Sequence, residues 1–149
     1  MENFKPEPKK VPVSQLFEDT QKVFSGYHNI TFEYQNPDNI AIFTDENYLK
    51  TIVRNLTSNA INVFKTTDNP KIIWKAWQEH NTSYLSITDN GPGATQEQFK
   101  ALFDDKEVVG IKSGLGLHLI RDLAKAINCN ISVDSQPNQG TTFTLTFNQ

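Results

Sequence analysis

A single cysteine, Cys129, rules out an intramolecular disulfide, and three scattered histidines supply no zinc-ligand spacing. No apolar run approaches the roughly 18 residues of a membrane helix, and the mixed Glu, Lys and Pro of Met1 to Lys10 form neither a signal sequence nor an anchor. Basic excess is also missing. With 14 basic against 17 acidic side chains there is no stripe of positive charge to follow a phosphate backbone, so nucleic acid is not expected as a partner. A reducing, cytoplasmic setting is the expectation, with no membrane contact by this stretch of chain.

What is present is enough for one core. In 149 residues, 10 Phe, 4 Tyr and 2 Trp supply large side chains to bury, and the net charge of −3 is too small to keep the chain unfolded. Residues 1–10 read as a linker remnant and residues 11–149 as the domain.

The patterning predicts a helix from Pro12 to Tyr27, with Ser14 as its N-cap, then two short strands, Ile30 to Tyr34 and Ile40 to Phe43, whose Asn36-Pro37-Asp38-Asn39 turn suggests a hairpin. A longer helix is predicted from Glu46 to Phe64 on the stripe Leu49, Ile52, Val53, Leu56, Ala60 and Val63. Asn55, Asn59 and Asn62 share one side of it at i, i+4, i+7, against their helix propensity; a solvated helix edge and a polar site both explain them. Strands are expected over Lys71 to Trp77 and Thr82 to Asp89. In the second, Leu85, Ile87 and Asp89 face one way, so an apolar stripe ends in a carboxylate, which either begins an Asx turn or is buried and needs donors.

After Asp89-Asn90-Gly91-Pro92-Gly93 a helix from Thr95 to Phe103 is predicted, with Thr95 and Gln98 as a capping box, then an aperiodic stretch from Asp104 to Ser113 suited to a lid. Gly114 to Leu117 opens a further helix, whose free amides and dipole suit phosphate. A hairpin of Asn130 to Asp134 and Thr141 to Phe147 closes the pattern, with Thr141 ending the stripe Phe143, Leu145 and Phe147. Helices alternating with antiparallel strand pairs define an α+β two-layer sandwich, its mixed, mostly antiparallel sheet covered by helices on one face.

Taken together, NLTSNA (Asn55 to Ala60), DNGPG (Asp89 to Gly93), the region around Phe103, GLGL (Gly114 to Leu117) and GTTFTLTF (Gly140 to Phe147) resemble the N box, first glycine box, F box, second glycine box and last strand of the ATP-binding catalytic domain of bacterial sensor histidine kinases, of the gyrase, heat-shock chaperone, histidine kinase and mismatch-repair ATPase superfamily. The resemblance covers nearly the whole chain. It implies the Bergerat ATP-binding fold with an ATP lid, ATP and Mg²⁺ as cofactors, and transfer of the γ-phosphoryl group to a histidine in a two-component system.

By that resemblance Asp89 accepts a hydrogen bond from the adenine amino group, Thr141 completes adenine recognition through water, and Gly91 and Gly93 let the backbone approach base and ribose. Asn59 is the magnesium ligand. Lys112, Gly114, Leu115, Gly116 and Leu117 face the triphosphate. Asn62 belongs to the nucleotide-binding set too, although a basic residue commonly stands there, and Val63 replaces a common aromatic.

By the same resemblance Asn55 is the catalytic position. Water-hydrolysing members carry a Glu there as general base, whereas a neutral imidazole attacks through a lone pair it already has. None of His28, His80 and His118 is followed by an acidic residue, as the family's phosphoacceptor is, so the acceptor is expected on a separate histidine-bearing dimerisation domain of the same full-length protein, with a response regulator downstream. Two alternatives stay open: an anti-sigma-factor-type serine kinase, against which Asn55 stands, and a degenerate nucleotide-binding interaction module.

Overall fold

In a computed structural model, residues 5–94, 99 and 117–148 are described. Elements in chain order are β1 (Lys9–Pro12), α1 (Val13–Val23), β2 (Thr31–Gln35), β3 (Ala41–Thr44), α2 (Glu46–Asn62), β4 (Lys71–Glu79), β5 (Thr82–Asp89), α3 (Leu117–Ala126), β6 (Asn130–Gln136) and β7 (Gly140–Asn148). Five strands form one sheet in the order β2-β4-β5-β7-β6, and β1 and β3 form a separate two-stranded sheet. Every pair is antiparallel except β2 with β4. The expected α+β sandwich is the fold observed.

Alternation decides which face each strand buries. Ile72, Trp74 and Ala76 of β4, Leu85 and Ile87 of β5, and Phe143, Leu145 and Phe147 of β7 pack against Leu49, Ile52, Val53 and Leu56 of α2 and Leu117, Ile120 and Leu123 of α3. Trp74 lies between Phe32 and Phe17, with ring centroids 5.3 and 6.1 Å away. Its buried Nε1 donates to Thr57 Oγ1 at 3.1 Å, tying α2 to the sheet. Burial pushes the Cys129 thiol up to about 12, which keeps it a protonated filler of the core.

Four local expectations are corrected. β2 and β3 do not pair with each other: the Asn36–Asn39 turn forms, with Asn36 Oδ1 accepting from Ile40 N at 3.1 Å, but β2 runs parallel to β4 and β3 pairs with β1. The partner of β3 is Lys9–Pro12, where charge and proline hid a strand; Lys9 and Lys10, assigned from the sequence to the linker, open it. Ser14 is not a cap. Pro12 holds the N-cap place without a side-chain bond, and Val13 N–H donates instead to Ile40 O at 3.1 Å. Finally, α2 stops at Asn62, so Val63 and Phe64 belong to the turn beyond it.

The start of α2 is fixed by Asp45. Its Oδ1 accepts from Tyr48 N at 3.0 Å as an N-cap, while its Oδ2 accepts from Glu7 N at 2.7 Å, so one carboxylate caps the helix and holds the entering chain. Lys9 pairs with Glu46 at 2.8 Å beside it.

Candidate functional site

The site is built at the end of the sheet's interior strands, where β5 ends and β7 begins. One rung crosses four strands there: Ile72 of β4 stands opposite Asp89 of β5, Asp89 opposite Thr141 of β7, and Thr141 opposite Ser135 of β6. Asp89 and Thr141 are buried, 7% and 8% exposed, so the two stripe-ending polar groups singled out in the sequence are neighbours in space. Burial raises the Asp89 carboxyl above the ordinary aspartate value of 3.8, against the opposing pull of the Gly91 and Thr141 backbone amides.

Both readings of Asp89 hold together. Its Oδ1 accepts from Gly91 N at 2.8 Å, closing an Asx turn, and the residue is buried as well. Asn90 points its amide to the other side, accepting from Lys71 N at 2.7 Å and donating to Asn69 O at 3.0 Å, which fixes the strand end that carries Asp89.

Glycines make the loop possible. Gly140 has φ +105°, and a Cβ there would lie 2.1 Å from Asp89 O; Gly93 has φ +74°, and a Cβ there would lie 2.1 Å from Gln136 O. The first glycine box is thus clasped to the β6–β7 turn, where Asn138 N donates to Pro92 O at 2.6 Å. Gly91 matters for space: a Cβ would meet Asp89 Oδ1 at 3.0 Å, Val63 Cγ2 at 3.1 Å and Phe64 Cδ1 at 3.5 Å. Because α2 has already ended, Val63 and Phe64 both lie in the turn beyond it, and together they border the Asp89 turn.

Asn55 and Asn59 are half-buried on α2, Asn59 one helical turn before Val63, and Asn62 is exposed at the end of the helix. Leu117 begins α3 and its side chain is fully buried, so anything it offers a ligand comes from its backbone. Lys112, Gly114, Leu115 and Gly116 lie outside the described residues, as do the lid, Phe103 and the helix expected from Thr95, apart from Phe99. Phe99 is buried edge-on against Phe143, with centroids 5.6 Å apart.

Ser135 was missed in the sequence. Its Oγ lies 2.8 Å from Ala94 N and 2.8 Å from Thr141 Oγ1, joining the exit of the glycine loop to the last strand. The signal was there: Ile131 and Val133 alternate into Ser135, a third apolar stripe ending in a polar group.

Among the described residues no three His, Cys, Asp or Glu side chains come together to hold a metal ion. No described helix is long and apolar enough to cross a membrane.

Comparison with known proteins bears on the fold and the family. The chain is 31% identical over 126 residues to the adaptive-response sensory kinase SasA of Synechocystis, a match spanning 79% of the chain and 32% of SasA. The chain therefore corresponds to about a third of that relative's length. Its fold superposes on the catalytic domain of the histidine kinase ThkA with a TM-score of 0.79, at 21% identity and covering 95% of each chain. It superposes on full-length ShkA in complex with AMPPNP with a TM-score of 0.76, at 22% identity, covering 95% of this chain and 31% of ShkA. Residues 44–149 match the family described as histidine kinase-, DNA gyrase B-, and HSP90-like ATPase, and the chain belongs to that family.

Proposed function

We propose that this chain is the ATP-binding catalytic domain of a sensor histidine kinase, transferring the γ-phosphoryl group of ATP to a histidine on a dimerisation domain of the same full-length protein, for onward transfer to a response regulator. The observation that carries the reading is the buried Asp89–Thr141 pair at the mouth of a glycine loop. A carboxylate held there accepts from an exocyclic amino group, and Gly91 leaves the adjoining space free of a side chain. The fold shared with ShkA, a protein seen with AMPPNP, supports a nucleotide as the ligand.

Asn59 supplies a hard, neutral amide oxygen at a half-buried place, which fits Mg²⁺ as an ion that takes one or two protein ligands and completes its shell with phosphate oxygens and water. When bound, the ion neutralises charge on the transferring phosphoryl group. Lys112, Asn62 and the amides of Gly114, Leu115, Gly116 and Leu117 complete the phosphate contacts in this reading. Asn55 cannot take a proton from water, which favours an acceptor that brings its own lone pair. The imidazole nitrogen bonds to the γ-phosphorus as the bond to the β,γ-bridging oxygen breaks and ADP leaves. Residues 11–149 are the catalytic domain, and the preceding residues connect it to the histidine-bearing half, with Lys9 and Lys10 shared as the start of β1.

Calorimetric titration with a non-hydrolysable ATP analogue, with and without Mg²⁺, tests binding; no heat up to millimolar concentration sinks the reading. Incubation with ATP and a separately supplied dimerisation domain should then yield acid-labile phosphohistidine. Acid-stable phosphoserine on a protein partner would indicate a serine kinase instead, and binding without transfer an interaction module.

A further inference from the structure

α2 meets the sheet through apolar side chains, and apolar contact has no preferred direction, so it fixes how deep the helix sits better than how it is rotated. A hydrogen bond does have a direction. Trp74 of β4 is held between Phe32 and Phe17, its ring nearly parallel to both at interplanar angles of 14° and 19°, so its indole N–H has a fixed aim. Trp74 Nε1 donates to Thr57 Oγ1 at 3.1 Å, and Thr57 Oγ1 donates in turn to Val53 O at 2.8 Å. Both directions are forced, because an indole nitrogen only donates and a carbonyl oxygen only accepts. Trp74 and Thr57 are fully buried, so no bulk water competes for either bond.

Thr57 stands two residues from Asn55 and two from Asn59 on α2. At about 100° per residue it lies about 160° around the helix from each, so the residue that grips the sheet is opposite the two amides. Rotation of α2 about its axis carries those amides with it. For side chains about 5–6 Å from the axis, a turn of about 10° moves an amide by about 1 Å, and the near-ideal octahedron that Mg²⁺ demands tolerates little of that. We infer that Thr57 is a positioning residue: through the Trp74 indole it sets the rotation of α2, and with it the place of the Asn59 amide oxygen toward a nucleotide-bound Mg²⁺. The inference rests on the reading of Asn59 given above and adds two fully buried residues, Thr57 and Trp74, that act on the site only through the helix.

The test measures the affinity of the full chain for a non-hydrolysable ATP analogue with Mg²⁺ and with a chelator, the ratio being the gain from the metal. Thr57→Val keeps the side-chain shape and removes the hydroxyl, whereas Thr57→Ser keeps the hydroxyl and removes a methyl group. Both cost stability, so titrations are run where urea unfolding shows each variant folded. Thr57→Val should give a Mg²⁺ gain about three- to tenfold smaller than wild type, the worth of one misplaced polar contact, with metal-free affinity within about twofold. Thr57→Ser should keep the wild-type gain. A merely structural Thr57 would leave every folded variant at the wild-type gain. A wild-type gain in Thr57→Val, an equal loss in Thr57→Ser, or a wild type that binds the analogue with no gain from Mg²⁺ overturns the inference and leaves the nucleotide reading standing. A folded wild type that binds no analogue overturns both. Should Thr57→Val fail to fold, Trp74→Phe, which removes the donor and keeps Thr57, should show the same reduced gain, and a wild-type gain there overturns the inference.

Discussion

Asp89 Oδ1 accepts the Gly91 backbone N–H at 2.8 Å, and a Cβ on Gly91 would stand only 3.0 Å from that same oxygen. The loop that orients the carboxylate therefore also guards the space in front of it. Gly91→Ala should keep the fold, because the atoms it crowds are side-chain termini of Asp89, Val63 and Phe64, yet displace the carboxylate. We expect less than ~1 kcal/mol of lost stability by urea unfolding and roughly tenfold weaker binding of an ATP analogue.

Asp89→Asn keeps the shape but removes the charge, and should weaken analogue binding by about ten- to a hundredfold, the worth of a hydrogen bond to an ionised acceptor. Equal binding by the variant would remove Asp89 from the adenine role. The pH dependence has a definite sign. The folded carboxyl keeps its proton above 3.8, where an unfolded aspartate has lost it, so Asp89 makes folding stability fall as pH rises from 3.8 to its raised folded value, with no further change above. Analogue affinity should rise through the same window, because only the carboxylate accepts well. Urea unfolding and titration calorimetry from about pH 4 to pH 7 check both slopes, and Asp89→Asn should remove this contribution from each.

Thr57→Val should destabilise the domain by about 1–3 kcal/mol, since it leaves the buried Trp74 indole N–H without its acceptor. The measurement is the urea midpoint. Because Thr57 lies between Asn55 and Asn59 on α2, analogue binding by the folded fraction reports whether the helix keeps its seat on the sheet.

Asn59→Ala should leave metal-free analogue binding within about twofold of wild type while abolishing most of the gain from Mg²⁺, as expected for the loss of one oxygen ligand. Titrations with Mg²⁺ and with a chelator separate the two. A variant that keeps the full Mg²⁺ gain would move the metal ligand elsewhere.

The parts of the site that were legible in the sequence are those set by period-two alternation. Asp89 ends the stripe Leu85, Ile87 and Thr141 ends Phe143, Leu145, Phe147, and the structure puts both on one rung. Ser135 obeys the same rule but sits one residue past the predicted end of its strand, Asp134, where the stripe was not followed. Strand partners were harder. The Asn36 turn is encoded locally and forms, but nothing local tells β2 to pass by β3 and lie parallel to β4, a choice made by Phe32 packing on Trp74 in the core. The charged, proline-ended β1 became a strand only because β3 offered it a partner.

Strand order also bears on how the domain is assembled. β7, the last described strand in chain order, is an interior one: it fills the place between β5 and β6, and its first residues set Thr141 beside Asp89. During synthesis from the N-terminus, β5 and β6 can emerge and find no common neighbour until Gly140–Asn148 follows. Closure of the sheet, and with it the pairing that defines the candidate site, waits for β7. A nascent chain stalled before Gly140 would expose the Leu85 and Ile87 edge of β5 to solvent and to other chains, so the same register that builds the site makes even a late truncation costly.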